Sequence, residues 1–159
     1  MTLIPETKPE QSIELLKELH ILTRDGKMNQ DSRRKLKQVY HLFQFIEPLL
    51  QQLRDAHRPF TLVDHGAGKS YLGFILYDLF FKQHDHGSTI HGIEVREPLV
   101  NHAKALAEQL GFTRMHFHHA SAADAIASTE LPDQVEIVTA LHACDTATDD
   151  AITFALKKH

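Results

Sequence analysis

The N-terminal third of the chain carries apolar residues at helical spacing. Residues 9–22 repeat leucine and isoleucine every three or four positions, which predicts a short amphipathic helix. A second apolar stripe, between residues 29 and 54, predicts a longer helix, with Asn29 among its candidate N-caps. Pro48 lies inside this stripe. We expect it to kink or divide the helix, because proline lacks the amide hydrogen that a helix interior needs.

From residue 58 onward, short apolar runs alternate with amphipathic stretches, which predicts four strands and four helices. The predicted strands are 60–63, 89–95, 114–119 and 135–141, and the predicted helices are 71–83, 99–110, 122–127 and 146–158. Strict alternation indicates a parallel sheet with helices on both faces. We therefore predict an α/β, Rossmann-like fold with an N-terminal helical segment at 1–57 and the Rossmann-like domain at 58–159.

The composition limits the class of protein and its cellular location, but it does not indicate a reaction. The chain has 159 residues, of which 42% are hydrophobic, and a net charge of -4, so it can bury a core and has no overall basic field. One cysteine excludes an intrachain disulfide. The sequence shows no secretory signal and no apolar run long enough for a bilayer, so we expect a cytoplasmic protein.

Thirteen histidines are unusual for this length. His116 and His118 would share one face of a strand, which suits metal ligation. No third and fourth ligands follow at a recognisable spacing. We therefore expect no metal site, and interpret the histidines as surface or packing residues.

The stretch VDHGAGKS at residues 63–70 follows the first predicted strand, where parallel sheets bind ligands. A nucleotide-triphosphate loop would need glycine at Val63, and a dinucleotide fingerprint would need glycine at Tyr71. The third pattern is an acid followed by two alternate glycines, which Asp64, Gly66 and Gly68 match. An acid there can accept a hydrogen bond from an ammonium group, and glycines let the backbone approach a ligand closely.

Glu94 ends the second predicted strand, where a carboxylate can accept both hydroxyls of a ribose. Together with Asp64 it describes a site for a nucleoside joined to an amino acid, which is S-adenosylmethionine. The structural alternative is that Asp64 is a helix N-cap and Glu94 a solvated strand end.

The predicted second helix begins with a basic segment. Residues 27–37 contain five basic residues and one acid, a composition that can meet a polynucleotide backbone. A solvated helix face explains the same residues.

Three segments together resemble the class I S-adenosylmethionine-dependent methyltransferases. They are DHGAGKSYLGFILYDLF, GIEVREPLVNHAKALAEQLGF and LHACDTATDDAI. The last is similar to a methyltransferase-domain group, the methyltransferase-like proteins, that carries LHACDTATD after strand four. The resemblance implies that Asp64, Gly66 and Gly68 contact the methionine part of the cofactor and that Glu94 contacts its ribose.

The same resemblance implies further site residues. Ser121 and Ala122 follow the third strand, where the superfamily meets adenine, although an acid is commoner there. Leu141 and the residues after it would lie beside the transferable methyl group. His142 would then be a candidate base and Asp145 a residue that orients it or the acceptor, although Asp145 would also suit a helix N-cap.

The full fold of this family has seven strands in the order 3-2-1-4-5-7-6. Only strands 3-2-1-4 are recognised here, and we expect that strands five to seven are missing. Strand four would be an open edge, which favours a homodimer or aggregation. We expect a methyltransferase whose acceptor is RNA or protein, or alternatively a catalytically incomplete cofactor-binding fragment, with a P-loop protein as a third hypothesis.

Overall fold

The computed structural model describes residues 5–84, 87–141 and 146–158. Its elements, in chain order, are α1 (Ile13–Glu18), α2 (Gln30–Asp55), β1 (Thr61–His65), α3 (Tyr71–Leu79), a 3-10 turn (Phe81–Gln83), β2 (Thr89–Glu94), α4 (Glu97–Leu110), β3 (Met115–His119), α5 (Ala122–Ala127), β4 (Ile137–Thr139) and α6 (Thr146–Lys157). The four strands form one parallel sheet in the order β3-β2-β1-β4, which confirms the predicted fold class.

The N-terminal helices differ from the prediction in length and continuity. α1 is shorter than predicted because the Ser12 side chain caps it by accepting the Leu15 N–H, and the chain turns at His20 (φ +57°). α2 runs unbroken through Pro48, so the expected division was wrong. Pro48 is exposed, and water on that side can satisfy the carbonyl that its missing N–H leaves unpaired. Asn29 caps α2 by accepting the Ser32 N–H.

The two faces of the sheet bury different cores. Leu62 and Val63, adjacent in β1, point to opposite faces, as strand geometry requires. On one face, α1 to α4 pack in a single large core that includes Leu36 of α2 and Phe74 of α3. On the other face, α5 and α6 cover a smaller core around Phe154.

Asp78 of α3 ties the segment before α1 to the sheet domain. Its Oδ2 accepts hydrogen bonds from the Gln11 side chain and from the Ser12 N–H, the latter at 2.7 Å. The N-terminal helices therefore share both a core and a buried polar contact with the domain that follows.

β4 is shorter than the predicted strand 135–141. The Val135 N–H donates to the Lys158 carbonyl at 3.1 Å instead of joining the sheet, and pairing ends where Thr139 faces Asp64. No helix in the described part of the chain is long and apolar enough to cross a membrane.

Candidate functional site

The turn between β1 and α3 is held against the end of β2. Gly66 and Gly68 adopt left-handed backbone angles (φ +65° and +58°), which glycine tolerates. The Ala67 N–H donates to the Ile93 carbonyl at 2.9 Å, and the Gly68 N–H donates to Glu94 Oε2 at 2.7 Å. The end of β2 thus fixes the shape of the turn.

Ser70 completes this turn in the same backbone conformation. Its φ of +61° is the angle that a third glycine would favour, although the side chain is serine. α3 begins at Tyr71, so Lys69 and Ser70 precede the helix. Ser70 makes no capping bond, and its Oγ is buried with no partner among the described residues.

Asp64 is almost fully buried at the carboxyl end of β1. Thr139 Oγ1 of β4 donates to its Oδ1 at 2.8 Å, because the register of β1 and β4 pairs these two residues. Burial raises the pKa of the Asp64 carboxyl to about 7, and the negative charge of Glu94 adds to the rise, while the hydrogen bond from Thr139 opposes it. Asp64 is not the N-cap of α3, since Ser70 occupies that position.

Glu94 is buried at the end of β2 and accepts four hydrogen bonds. Besides Gly68, Arg96 donates to Oε1 from its backbone N–H at 3.1 Å and from Nε at 2.9 Å, and its Nη2 lies 3.4 Å from Oε2. Burial alone would raise the pKa of Glu94, but these hydrogen bonds outweigh burial and lower it. Glu94 is therefore ionised at neutral pH and is not a solvated strand end.

A cleft of about 340 Å³ opens at this edge of the sheet, the usual ligand position in such folds. It is lined by Lys35, Asp64, Gly66, Ala67, Gly68, Lys69, Tyr71, Leu72, Arg96 and Leu141. The structure thus gathers Asp64, both glycines and Leu141 in one place. Lys35 reaches it from α2 and lies over the Tyr71 ring, 5.9 Å from its centroid.

The other predicted site residues lie apart from the cleft or outside the described residues. Ser121 caps α5 by accepting the Asp124 N–H and donates to Asp124 Oδ2 at 2.8 Å. Neither Ser121 nor Ala122 lines the cleft, so their adenine contact stays a prediction. His142 and Asp145 lie outside the described residues.

Gly92 of β2 allows the turn to pack closely on the sheet. A Cβ added there would lie 2.9 Å from the Phe117 ring and 3.3 Å from the Ala67 Cβ. Sequence reasoning did not single out Gly92, nor Thr139 or Arg96. Thr139 is a polar residue in an apolar strand, which is the one feature of the sequence that could have drawn attention to it. The residue that Thr139 contacts depends on the register of the strands.

Three of the histidines, His91, His116 and His118, form a cluster on the sheet face that α5 and α6 partly cover. His91 Nδ1 lies 2.9 Å from His118 Nε2, and the rings of His91 and His116 are 5.0 Å apart. Within the described ranges, no group of three acidic, histidine or cysteine side chains has a metal-binding arrangement.

The family profile described as "Methyltransferase domain" matches residues 34–159, most of the chain. The chain belongs to this family. The match confirms the prediction of a methyltransferase domain with S-adenosylmethionine as its cofactor. It includes most of α2, the turn, Asp64 of the cleft, and Glu94, which borders the turn but does not line the cleft.

One curated relative is the ribosomal RNA small subunit methyltransferase G of Streptococcus gordonii, 30% identical over 116 residues. The match covers 72% of this chain and 46% of the relative, so the chain spans about half of that protein's length. Among solved structures, magnesium protoporphyrin IX methyltransferase from Synechocystis PCC 6803 resembles the fold. With bound SAH its TM-score is 0.53 at 15% identity, covering 89% of this chain and 60% of that one. With bound SAM its TM-score is 0.50 at 12% identity, covering 94% of this chain and 73% of that one.

The polar groups in and beside the cleft fit S-adenosylmethionine better than a nucleoside triphosphate. Asp64 offers a buried acceptor for an ammonium group, and Glu94 offers paired oxygens for a diol. The Gly68 N–H, which a phosphate loop would direct at its ligand, is bonded to the Glu94 carboxylate.

Proposed function

We propose that this chain binds S-adenosylmethionine in the cleft and directs methyl transfer to RNA. The observation that carries the proposal is the pair of buried acids, Asp64 and Glu94, at the ends of adjacent strands with the glycine turn between them. Each acid matches one polar part of the cofactor, and the turn fixes the space between them.

The residues of this chain bind and orient, while the cofactor supplies a methyl group activated by its sulfonium. Asp64, when ionised, accepts the ammonium of the methionine part, and Thr139 holds the carboxylate in position. Glu94 accepts the ribose hydroxyls. Gly66 and Gly68 let the backbone approach the ligand. Aligning donor and acceptor in this way lowers the barrier to an in-line displacement by reducing its entropic cost.

The charges around the cleft support an anionic acceptor. Lys35, Lys69 and Arg96 line it, although the whole chain is acidic. Arg34 and Lys37 add two exposed basic side chains on α2. The name of the Streptococcus relative, a ribosomal RNA methyltransferase, agrees with an RNA acceptor. Arg33 forms a salt bridge with Glu6, and Lys35 forms one with Asp31. These salt bridges give part of the basic charge a structural role.

Calorimetry tests the cofactor site. S-adenosylhomocysteine should bind and ATP should not. Asp64→Ala and Glu94→Ala should each weaken S-adenosylhomocysteine binding at least about tenfold, or roughly 1.4 kcal/mol. ATP binding that Lys69→Ala abolishes, or unchanged S-adenosylhomocysteine affinity in both acid variants, would contradict the proposal.

Labelled methyl transfer and RNA binding test the acceptor. Label from S-adenosylmethionine should enter RNA rather than protein. The double variant Arg34→Glu/Lys37→Glu should weaken binding of a short single-stranded RNA and flatten its salt dependence, by about 0.7 in slope per lost phosphate contact. The matched control is Lys104→Glu/Lys157→Glu, which makes the same charge change on α4 and α6. Label in protein alone would contradict the RNA acceptor.

A second candidate is a cofactor-binding unit that needs another chain for transfer. The observation that favours it is β4, which pairs with β1 alone among the described strands and is only half-buried. An open edge can pair with another strand, so a homodimer through β4 is the expected partner arrangement. Light scattering that shows a concentration-dependent dimer, with S-adenosylhomocysteine binding but no methyl transfer by the monomer, would favour this candidate.

A further inference from the structure

The Arg96 side chain occupies hydrogen-bond acceptor positions of Glu94, the carboxylate that the proposed function assigns to the ribose. Its Nε and Nη2 lie 2.9 Å and 3.4 Å from Glu94 Oε1 and Oε2. The backbone N–H groups of Arg96 and Gly68 donate to the same two oxygens, at 3.1 Å and 2.7 Å. A carboxylate offers about four acceptor positions, two on each oxygen. The four donors use all of them.

These four hydrogen bonds are not equally easy to break. The two backbone donors belong to the glycine turn and to the N-cap of α4, so losing them would require the main chain to move. The Arg96 guanidinium lies on a long side chain that is 65% exposed, whereas the Glu94 side chain is 7% exposed. An ion pair whose cation is exposed to solvent in this way is expected to shift an equilibrium by only about twofold to fivefold. The guanidinium is therefore the donor that a ligand can replace.

The guanidinium also stands beside the glycine turn. Arg96 lines the cleft together with Gly66 and Gly68, and a Cβ added to Gly68 would lie 3.6 Å from Arg96 Nη2. Arg96 Nη2 is thus adjacent to both the carboxylate and the backbone that a cofactor would approach. Loss of Nε and Nη2 from Glu94 would free one acceptor position on each oxygen, which is the number that the two hydroxyls of a ribose cis-diol require.

We propose that Arg96 is a displaceable latch, whose guanidinium holds the diol positions of Glu94 and leaves them when S-adenosylmethionine binds. The latch rests on the proposed function, since it takes Glu94 as the ribose acceptor. It compensates the charge of Glu94 until the diol replaces it, and it makes the cofactor compete with a side chain of the same protein.

Nuclear magnetic resonance of the arginine Nε–H groups tests the displacement in the unmodified protein. The spectrum of Arg96→Lys identifies the Arg96 signal by its loss. Saturation with S-adenosylhomocysteine should move that signal to the position of solvent-exposed arginines. An Arg96 signal that stays in place while S-adenosylhomocysteine binds would overturn the latch, because the guanidinium would then remain on Glu94.

Calorimetry tests the competition. Arg96→Ala should bind S-adenosylhomocysteine about twofold to fivefold more tightly, whereas Lys104→Ala, an exposed substitution on α4 away from the cleft, should not change the affinity. Weaker or unchanged binding by Arg96→Ala would overturn the latch but leave the cofactor site intact. Absence of S-adenosylhomocysteine binding by the unmodified protein, or unchanged affinity in both Asp64→Ala and Glu94→Ala, would overturn the proposed function and the latch together.

Discussion

Thr139 Oγ1 donates to Asp64 Oδ1 at 2.8 Å, so β4 positions the carboxyl group of Asp64 near the end of β1. The two residues are partners in the parallel register of these strands. Asp64 is buried and would resist ionisation, and the Thr139 hydroxyl favours the ionised form by donating to it. A polar side chain of one strand thus shifts the acid of its neighbour toward the ionised form, against the larger effect of burial.

Thr139→Val removes this hydroxyl at nearly constant volume and should raise the pKa of Asp64. An ammonium group prefers the ionised carboxylate, so the affinity of the unmodified protein for S-adenosylhomocysteine should increase as the pH rises through about 7. In Thr139→Val this increase should occur at higher pH, and the affinity near neutral pH should fall. Calorimetry between about pH 6 and pH 8.5 measures both curves.

Thr113→Val is the control for Thr139→Val, because it changes an exposed threonine outside the cleft. Its binding curve should coincide with that of the unmodified protein. Identical curves for all three proteins would show that Thr139 does not affect the charge on Asp64.

Asp64→Asn should stabilise the protein at alkaline pH while weakening the cofactor site. The folded pKa of Asp64, about 7, lies above its ordinary value, so the folded state binds the proton more tightly than the unfolded state. The contribution of Asp64 to stability is therefore present at acidic pH and is lost as the pH rises towards 7. Near pH 8, the neutral amide should raise the free energy of unfolding by roughly 1–3 kcal/mol, as measured in urea.

The same variant should bind S-adenosylhomocysteine at least about tenfold more weakly. Stability and binding would then change in opposite directions at one residue, as expected for a group retained for function. If Asp64→Asn lost stability near pH 8, the burial cost of the ionised carboxyl would be smaller than the pKa of Asp64 indicates.

The sequence was most informative about features that local patterns and strand ends determine. The two acids and two glycines could be predicted because parallel strands bring their carboxyl ends to one edge, whatever the exact register. The hydrogen bond between Thr139 and Asp64 could not be predicted, since it depends on which residues of β1 and β4 are opposite each other. The contact of Arg96 with Glu94 depends on a side-chain rotamer, which leaves no mark in a hydrophobic pattern.

The predicted element ends failed where tertiary contacts override local preference. β4 begins later than the predicted strand because the Val135 N–H donates to the Lys158 carbonyl, just after α6. Pro48 was tolerated because its position on α2 faces solvent. The first outcome depends on a residue distant in the chain, and the second depends on which side of α2 faces solvent. A short stretch of sequence contains neither kind of information.

Ser70→Gly should stabilise the turn. The left-handed angle of Ser70 costs a residue with a Cβ about 1 kcal/mol, and its buried hydroxyl has no partner among the described residues. Glycine removes both costs, whereas Ser70→Ala removes only the hydroxyl. The free energy of unfolding in urea should therefore increase more for Ser70→Gly than for Ser70→Ala. Equal values for the two variants would show that the backbone angle carries no strain.

The histidine cluster should make the protein sensitive to mild acid. Burial lowers the pKa of His91 to about 3, with His116 and His118 adding to the effect, so His91 is neutral when folded. Because the unfolded chain binds the proton more readily, stability is present above the ordinary histidine pKa and is lost as the pH falls below about 6.5. Burial also lowers the pKa of His118, although Glu130 opposes this and Lys104 adds to it.

His91→Gln tests this acid sensitivity. From about pH 7.5 to about pH 5, His91 should account for a loss of up to roughly 2 kcal/mol in the free energy of unfolding, and His91→Gln should lose less over that interval. The comparison is of the pH slope, so a lower overall stability of the variant does not affect it. His102→Gln removes an exposed histidine of α4 and should keep the slope of the unmodified protein. Parallel slopes for His91→Gln and the unmodified protein would assign the acid sensitivity to other groups.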